Sequence, residues 1–176
     1  TVPVGVPLFF LCALLFGSFD AIFGFSLESM TFLAIAGIVH FIVGRYSNYR
    51  AIKAIGGNLS GPVQQTSILF TLAFAIGLLG ESLTPLRVLG IGLIFLGPLV
   101  ILPGRRRDRK TSRHAPSFVP SYVEGYFFSL LAALCYGTSP ILIRAALENH
   151  GLGTSLAGGF ISYTAATLAL IALMAG

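Results

Sequence analysis

The chain is built from long apolar stretches divided by short polar ones, and few folds accept that pattern. The runs are Val4–Phe25, Thr31–Ile55, Ser60–Gly80, Pro85–Leu102, Val123–Leu147 and Leu152–Ala175. A hydrocarbon core roughly 30 Å thick needs about 20 helical residues to cross it, and these runs approximate or exceed that length. Only 10% of the 176 residues are charged against 55% hydrophobic, whereas a soluble domain carries about 25% charged residues. A water-facing surface cannot be assembled from so few charges. The pattern predicts an all-α, polytopic membrane protein with about six transmembrane helices.

The first run does not resemble a signal peptide, because no basic segment precedes it and Pro3 and Pro7 interrupt its start. The chain opens on Thr1 and closes on Gly176 while still apolar, so a fragment of a longer protein is expected. Cys12 and Cys135 each lie inside an apolar run, without the spacing of a metal site or a disulfide framework, and read as small apolar fillers.

One segment is plainly polar: GRRRDRKTSRHAPSFVPSY, residues 104–122. Six basic residues (Arg105, Arg106, Arg107, Arg109, Lys110 and Arg113) stand against Asp108, with Pro116 and Pro120 discouraging helix. Between two spans, such charge reads as a cytoplasmic topology signal that touches anionic lipid headgroups, and no nucleic-acid partner is expected. Two spans separate this segment from the basic stretch Arg45–Asn58, so both fall on one side of the membrane. The turns near Glu28, Glu81 and Glu148–His150 fall on the other side and are poorer in Lys and Arg.

Local signals mark helix ends. Gly56 and Gly57 are placed to end one helix, and Ser60 to start the next with Pro62 in its first turn. Thr84 precedes Pro85 in the same cap-then-proline order. The connection at 56–60 is short, so the helices it joins are antiparallel neighbours.

Polar groups inside the apolar runs are the candidate functional residues, because an intramembrane polar side chain is costly unless it faces a cavity or another helix. HFIVGRYSNYRAIKAI, residues 40–55, puts His40, Gly44, Ser47 and Ala51 on one helical stripe, with Tyr46 and Tyr49 nearby. His40, Arg45 and Tyr46 are the cavity candidates, while Arg50 and Lys53 snorkel toward the interface. Gln64, Gln65, Thr66 and Ser67 follow one another about a turn inside the next run. Successive residues cover every face of a helix, so these cannot all face lipid without cost. Their neutral donors and acceptors suit either a polar ligand or bonds between helices. Arg45 and Gln64 are expected to share one polar cavity with Tyr46 along its wall. Gly90, Gly92 and Gly97 in the run 85–102 read as helix-packing positions. In CYGTSPILIRAAL, Gly137 and Pro140 mark a hinge or a discontinuous helix, which makes Thr138, Ser139 and Arg144 further candidates.

No HExxH, P-loop or GxSxG motif occurs, and no pair of carboxylates sits at membrane depth, so neither an enzyme nor a cofactor is expected.

GRYSNYRAIKAIGGNLSGPVQQTSILFTLAFAIGLLGESLTPLRVLGIGLIFLGPLVI resembles the EamA domain of the drug/metabolite transporter superfamily. The likeness lies in a helix ending in Y-x-A-I, a small-residue turn, a Pro-led helix ending in L-L-G-E, a Thr/Pro turn and a G-x-x-L-I-x-x-G helix. GYFFSLLAALCYGTSPILIRAAL is similar to the start of a second such repeat. The resemblance implies ten helices in two five-helix repeats of opposite orientation. On that template residues 1–103 hold repeat 1 without its first helix, 104–121 a linker, and 122–176 the start of repeat 2. It implies a prokaryotic inner-membrane transporter of small polar metabolites such as amino acids, or of drugs, working by alternating access, with a coupling ion as a further partner. The candidate binding residues are then His40, Arg45, Tyr46, Tyr49, Gln64, Gln65, Ser67, Thr138 and Ser139. Ten-helix members generally have cytoplasmic ends, which implies an outside linker, whereas the charges favour the cytoplasm. The alternative is a non-transporting scaffold or lipid-carrier binding component. Convergence of His40, Arg45, Tyr46, Gln64 and Gln65 on one cavity would separate the two.

Overall fold

The computed structural model describes residues 2–16, 20–80, 82, 84–86, 88–94, 119–147 and 154–175. The basic segment 104–118, Gly97 and the turn at 148–150 lie outside them. The described chain is helical, without strands. In order come α1 (Val2–Leu15), a 3₁₀ turn (Asp20–Ile22), α2 (Leu27–Ile38), a π-helical segment (Val39–Gly44), α3 (Arg45–Ile55), α4 (Gly57–Gln64), α5 (Ser67–Leu79), α6 (Tyr122–Leu147) and α7 (Thr154–Ala175). Residues 85–86 and 88–94 are also helical, and the Val88 amide donates to the Thr84 carbonyl at 3.1 Å, placing Pro85 at the helix start. Four stretches are long and apolar enough to cross a membrane: Leu27–Ile55, Gly57–Leu79, Tyr122–Leu147 and Thr154–Ala175, while Val2–Leu15 is shorter. The protein is a helical membrane protein.

Local chemistry moves two of the expected boundaries. Ser26 Oγ accepts the Ser29 amide at 3.1 Å, which caps α2. The helix therefore starts at Leu27 rather than Thr31, with Glu28 favourably placed in its first turn. At the other end of this span Gly56 has φ +79°, and its amide bonds to the Ile52 carbonyl at 2.8 Å. Only glycine adopts that backbone without strain, so the chain reverses there. α4 then starts at once on Gly57, so Pro62 lies inside it rather than in its first turn. Proline removes one helical bond and crowds the preceding turn, and Thr66 Oγ1 competes for the Val63 carbonyl at 2.6 Å. The run 60–80 is accordingly two helices with a tight turn at Gln65–Thr66.

α6 is the centre of the bundle. It packs against α2, the π segment, α3, α4 and α5, while α7 packs against α1 and α2. α6 runs antiparallel to the span 27–55. Gly125 abuts Ile55, Gly44 lies against Cys135 and Tyr136, and His40 meets Ser139. The Ser121 amide donates to the Ala54 carbonyl at 2.9 Å, which sets the start of α6 beside the basic end of α3. Small side chains fill the seams: Ala51, Ala132, Ala133, Ala157 and Ala166 are fully buried. Lipid gives no hydrophobic drive for helix association, so close backbone approach must hold the bundle together. Among the described residues, a Cβ at Gly90 or Gly92 would meet nothing within 4 Å.

α6 also passes Pro140 without a break. Proline has no amide to give the Tyr136 carbonyl, and Ser139 Oγ donates to that oxygen instead at 3.3 Å. Thr71 Oγ1 on α5 lies 3.0 Å from the next carbonyl, that of Gly137, and shares its one hydrogen between that oxygen and the Ser67 carbonyl of its own helix, also at 3.0 Å. Hydroxyls that re-satisfy freed carbonyls are what allow proline inside a membrane helix.

Candidate functional site

The site forms where the span 27–55 changes its winding. Gly37 and Gly44 are seven residues apart and would share a face of a regular α-helix to within about 20°. The π segment between them takes up an extra residue, equivalent to about 100° of turn. Gly37 is therefore pressed against the Ser162 backbone of α7, whereas Gly44 is pressed against Tyr136 and Cys135 of α6. His40 lies inside this rewound stretch, 13 residues from Leu27, or roughly 20 Å at 1.5 Å per residue. That is mid-span.

His40 Nδ1 lies 2.9 Å from Ser139 Oγ. The imidazole also packs against Phe41 and Tyr136, with ring centroids 4.7 and 4.9 Å away. Beside the pair opens a cleft of about 470 Å³ between α1, α2, the π segment, α6 and α7. Its walls are mostly apolar, with Phe9, Phe41, Ile143 and Leu147 among them. The polar groups that reach it come from His40, Ser139, Arg144, Ser155, Ser162 and Tyr163. Ser162 Oγ is already committed to the Leu33 carbonyl at 2.9 Å. A concave, largely apolar pocket with a few polar groups is the ordinary form of a small-molecule site.

A family model, the EamA-like transporter family, matches residues 3–102, more than half of the chain. The chain belongs to the EamA-like transporter family. It is thus a membrane transporter of the drug/metabolite type rather than an enzyme, and an integral membrane protein. No curated protein and no solved structure matches the chain.

In this EamA-like transporter the matched region contributes His40, while α6 and α7, beyond residue 102, contribute the opposite wall. Ser139 and Arg144 line the cleft too, and the remaining sequence-derived candidates lie elsewhere. Arg45 is half-buried, its guanidinium carbon 5.9 Å from the Phe41 ring centroid. Tyr46 and Tyr49 are exposed on the outer surface of the bundle, at 57% and 63%, Tyr46 edge-on to Phe128. Gln64 Nε2 donates to Asn48 Oδ1 at 3.0 Å, and Gln65 is exposed. Ser67 is at the α5–α6 seam, where its carbonyl accepts Thr71 Oγ1 at 3.0 Å. Thr138 Oγ1 bonds back to the Leu134 carbonyl at 2.7 Å within its own helix. Of the five residues whose convergence was to separate a transporter from a scaffold, His40 lines the cleft and the other four do not. Gln64 pairs with Asn48, and neither Arg45 nor Gln64 lines the cleft.

Sequence reasoning overlooked Ser162 and Tyr163. The signal was present, since GGFISYTAAT interrupts an apolar run with polar residues much as QQTS does.

Proposed function

We propose that this EamA-like protein is a secondary transporter of small polar metabolites such as amino acids, or of drugs, working by alternating access in a prokaryotic inner membrane. The observation that carries this reading is the His40–Ser139 pair, at mid-span on the wall of the cleft. Transporters of repeat architecture bind substrate near the bilayer midplane, between units that rock against each other. The pair also joins the family-matched segment to α6, so a solute held there touches both moving parts. Mostly apolar walls with polar groups in one region suit a solute having an apolar body and a hydrogen-bonding head.

The test is uptake and efflux in membrane vesicles from cells carrying the full gene, screened with radiolabelled amino acids and a panel of drugs. Movement of at least one class above vesicles lacking the protein is expected, with a loss of about tenfold or more in His40→Ala. Correctly inserted protein that moves nothing across the panel would overturn the proposal.

A further inference from the structure

We propose that His40 is a proton-binding site of this transporter, taking a proton at Nε2 and thereby tightening the link between the span 27–55 and α6. The inference rests on the transport reading above and adds the coupling ion to it.

Hydrogen-bond capacity decides which ring nitrogen carries the hydrogen. A serine hydroxyl has one hydrogen, and Ser139 gives it to the Tyr136 carbonyl that Pro140 leaves without a helical donor. With its hydrogen so placed, Ser139 Oγ, 2.9 Å from His40 Nδ1, is assigned as the acceptor. Nδ1 carries the hydrogen, and the neutral ring keeps its lone pair on Nε2. Among the described residues Nε2 has no hydrogen-bond partner. A proton arriving from the cleft therefore has one place to bind on this ring.

The surroundings supply no competing site of the same kind. Tyr136 and Arg144 of α6 face the region of the ring, with Arg45 of α3 and Tyr163 of α7. The described lining residues from α1 and α2 (Phe9, Leu33, Ala36 and Gly37) are uncharged, and no described lining residue is a carboxylate. No cluster of three or more metal-ligating side chains occurs among the described residues. Histidine is the side chain whose ordinary titration spans neutral pH.

Binding has a mechanical consequence. A proton on Nε2 converts neutral imidazole to imidazolium, with no other bond made or broken, and Nδ1–H becomes a charge-assisted donor. Such bonds are roughly twice as strong as neutral ones. The strengthened bond pulls on Ser139, whose hydroxyl is anchored to the carbonyl opposite Pro140. The protonated state thus favours the arrangement in which the two segments are joined at mid-span, and deprotonation favours their separation.

The experiment has two arms, both on the whole protein. In nanodiscs with ¹⁵N-labelled histidine, assigned by His40→Gln, the neutral ring is expected as the Nδ1–H tautomer and to gain a proton at Nε2 on acidification. Ser139→Ala is expected to abolish the tautomer preference and shift the titration midpoint. An Nε2–H tautomer in the wild type, or a ring that does not titrate, overturns the site. In proteoliposomes under a pH gradient, with an equimolar mixture of radiolabelled amino acids as probe, the midpoint of the uptake–pH profile should move with the ring midpoint in Ser139→Ala. An uptake profile that stays put while the ring midpoint moves overturns the coupling. If neither this mixture nor the drug panel moves, the transport reading falls and the coupling with it, while the tautomer and titration still decide the proton site.

Discussion

Thr71 on α5 and Gly137 on α6 are joined by a hydroxyl-to-carbonyl bond of 3.0 Å, one turn before Pro140. The approach requires glycine, because a Cβ at 137 would stand 2.6 Å from both Phe70 Cβ and the Ser67 carbonyl oxygen. Thr71→Val keeps the shape and removes the bond. We expect a loss of about 1 kcal/mol, the scale of interhelical side-chain bonds in membranes. Unfolding in mixed detergent–SDS micelles measures it, and an unchanged midpoint would show that the Gly137 carbonyl needs no second donor.

Gly37 tests the contact between α2 and α7. Its Cα faces the Ser162 backbone, with the carbonyl carbon 2.8 Å from where a Cβ would lie. Backbone cannot swing aside as a long side chain can. Gly37→Ala should therefore cost about 1–3 kcal/mol, as overpacking does, and separate α7 from the cleft. Gly57→Ala, at a position where a Cβ meets nothing within 4 Å, serves as the control. Equal unfolding midpoints for the two variants would refute the close contact.

Arg50 and Glu124 form an ion pair at the end of the bundle where α3 finishes and α6 begins, and Arg50 also lies 5.2 Å from the Phe128 ring centroid. Both side chains are partly exposed, at 44% and 37%. Solvent screening keeps such pairs to about 0.2–1 kcal/mol. A double-mutant cycle with Arg50→Ala and Glu124→Ala should give a coupling energy in that range, falling with added salt. A coupling of several kcal/mol, insensitive to salt, would mean that the pair is shielded in the membrane.

Orientation is tested at two turns. Asn58 is exposed beside Gly56, at the basic end of the bundle, and Ser29 lies in the first turn of α2 at the opposite end. In a background with Cys12 and Cys135 replaced, Ser29→Cys should react with a membrane-impermeant thiol reagent in intact cells and Asn58→Cys should not. The reverse labelling pattern would place the basic end outside.

The amino-acid order by itself determined the class of fold. Runs of apolar residues at bilayer length leave only helices, because each backbone polar group must then be satisfied within its own segment. The same local rules placed the reversal at Gly56 and marked His40 as a polar group at mid-span. Ser139 stood out too, by its place beside Pro140. What order could not convey was which polar groups meet. Asn48 and Gln64 pair because each lies eight residues from Gly56 and so at one level of the antiparallel hairpin. Arg45 is three residues further from the turn and stacks on Phe41 instead. The π segment has no composition of its own, since an extra residue in a helical turn is stabilised by what packs against it. Its rewinding aims Gly37 at α7 and Gly44 at α6. His40 and Ser139, 99 positions apart, meet only because α6 runs antiparallel along that span. Helix formation is local and was legible, whereas the facing of one helix to another depends on close contacts that only the packed bundle supplies.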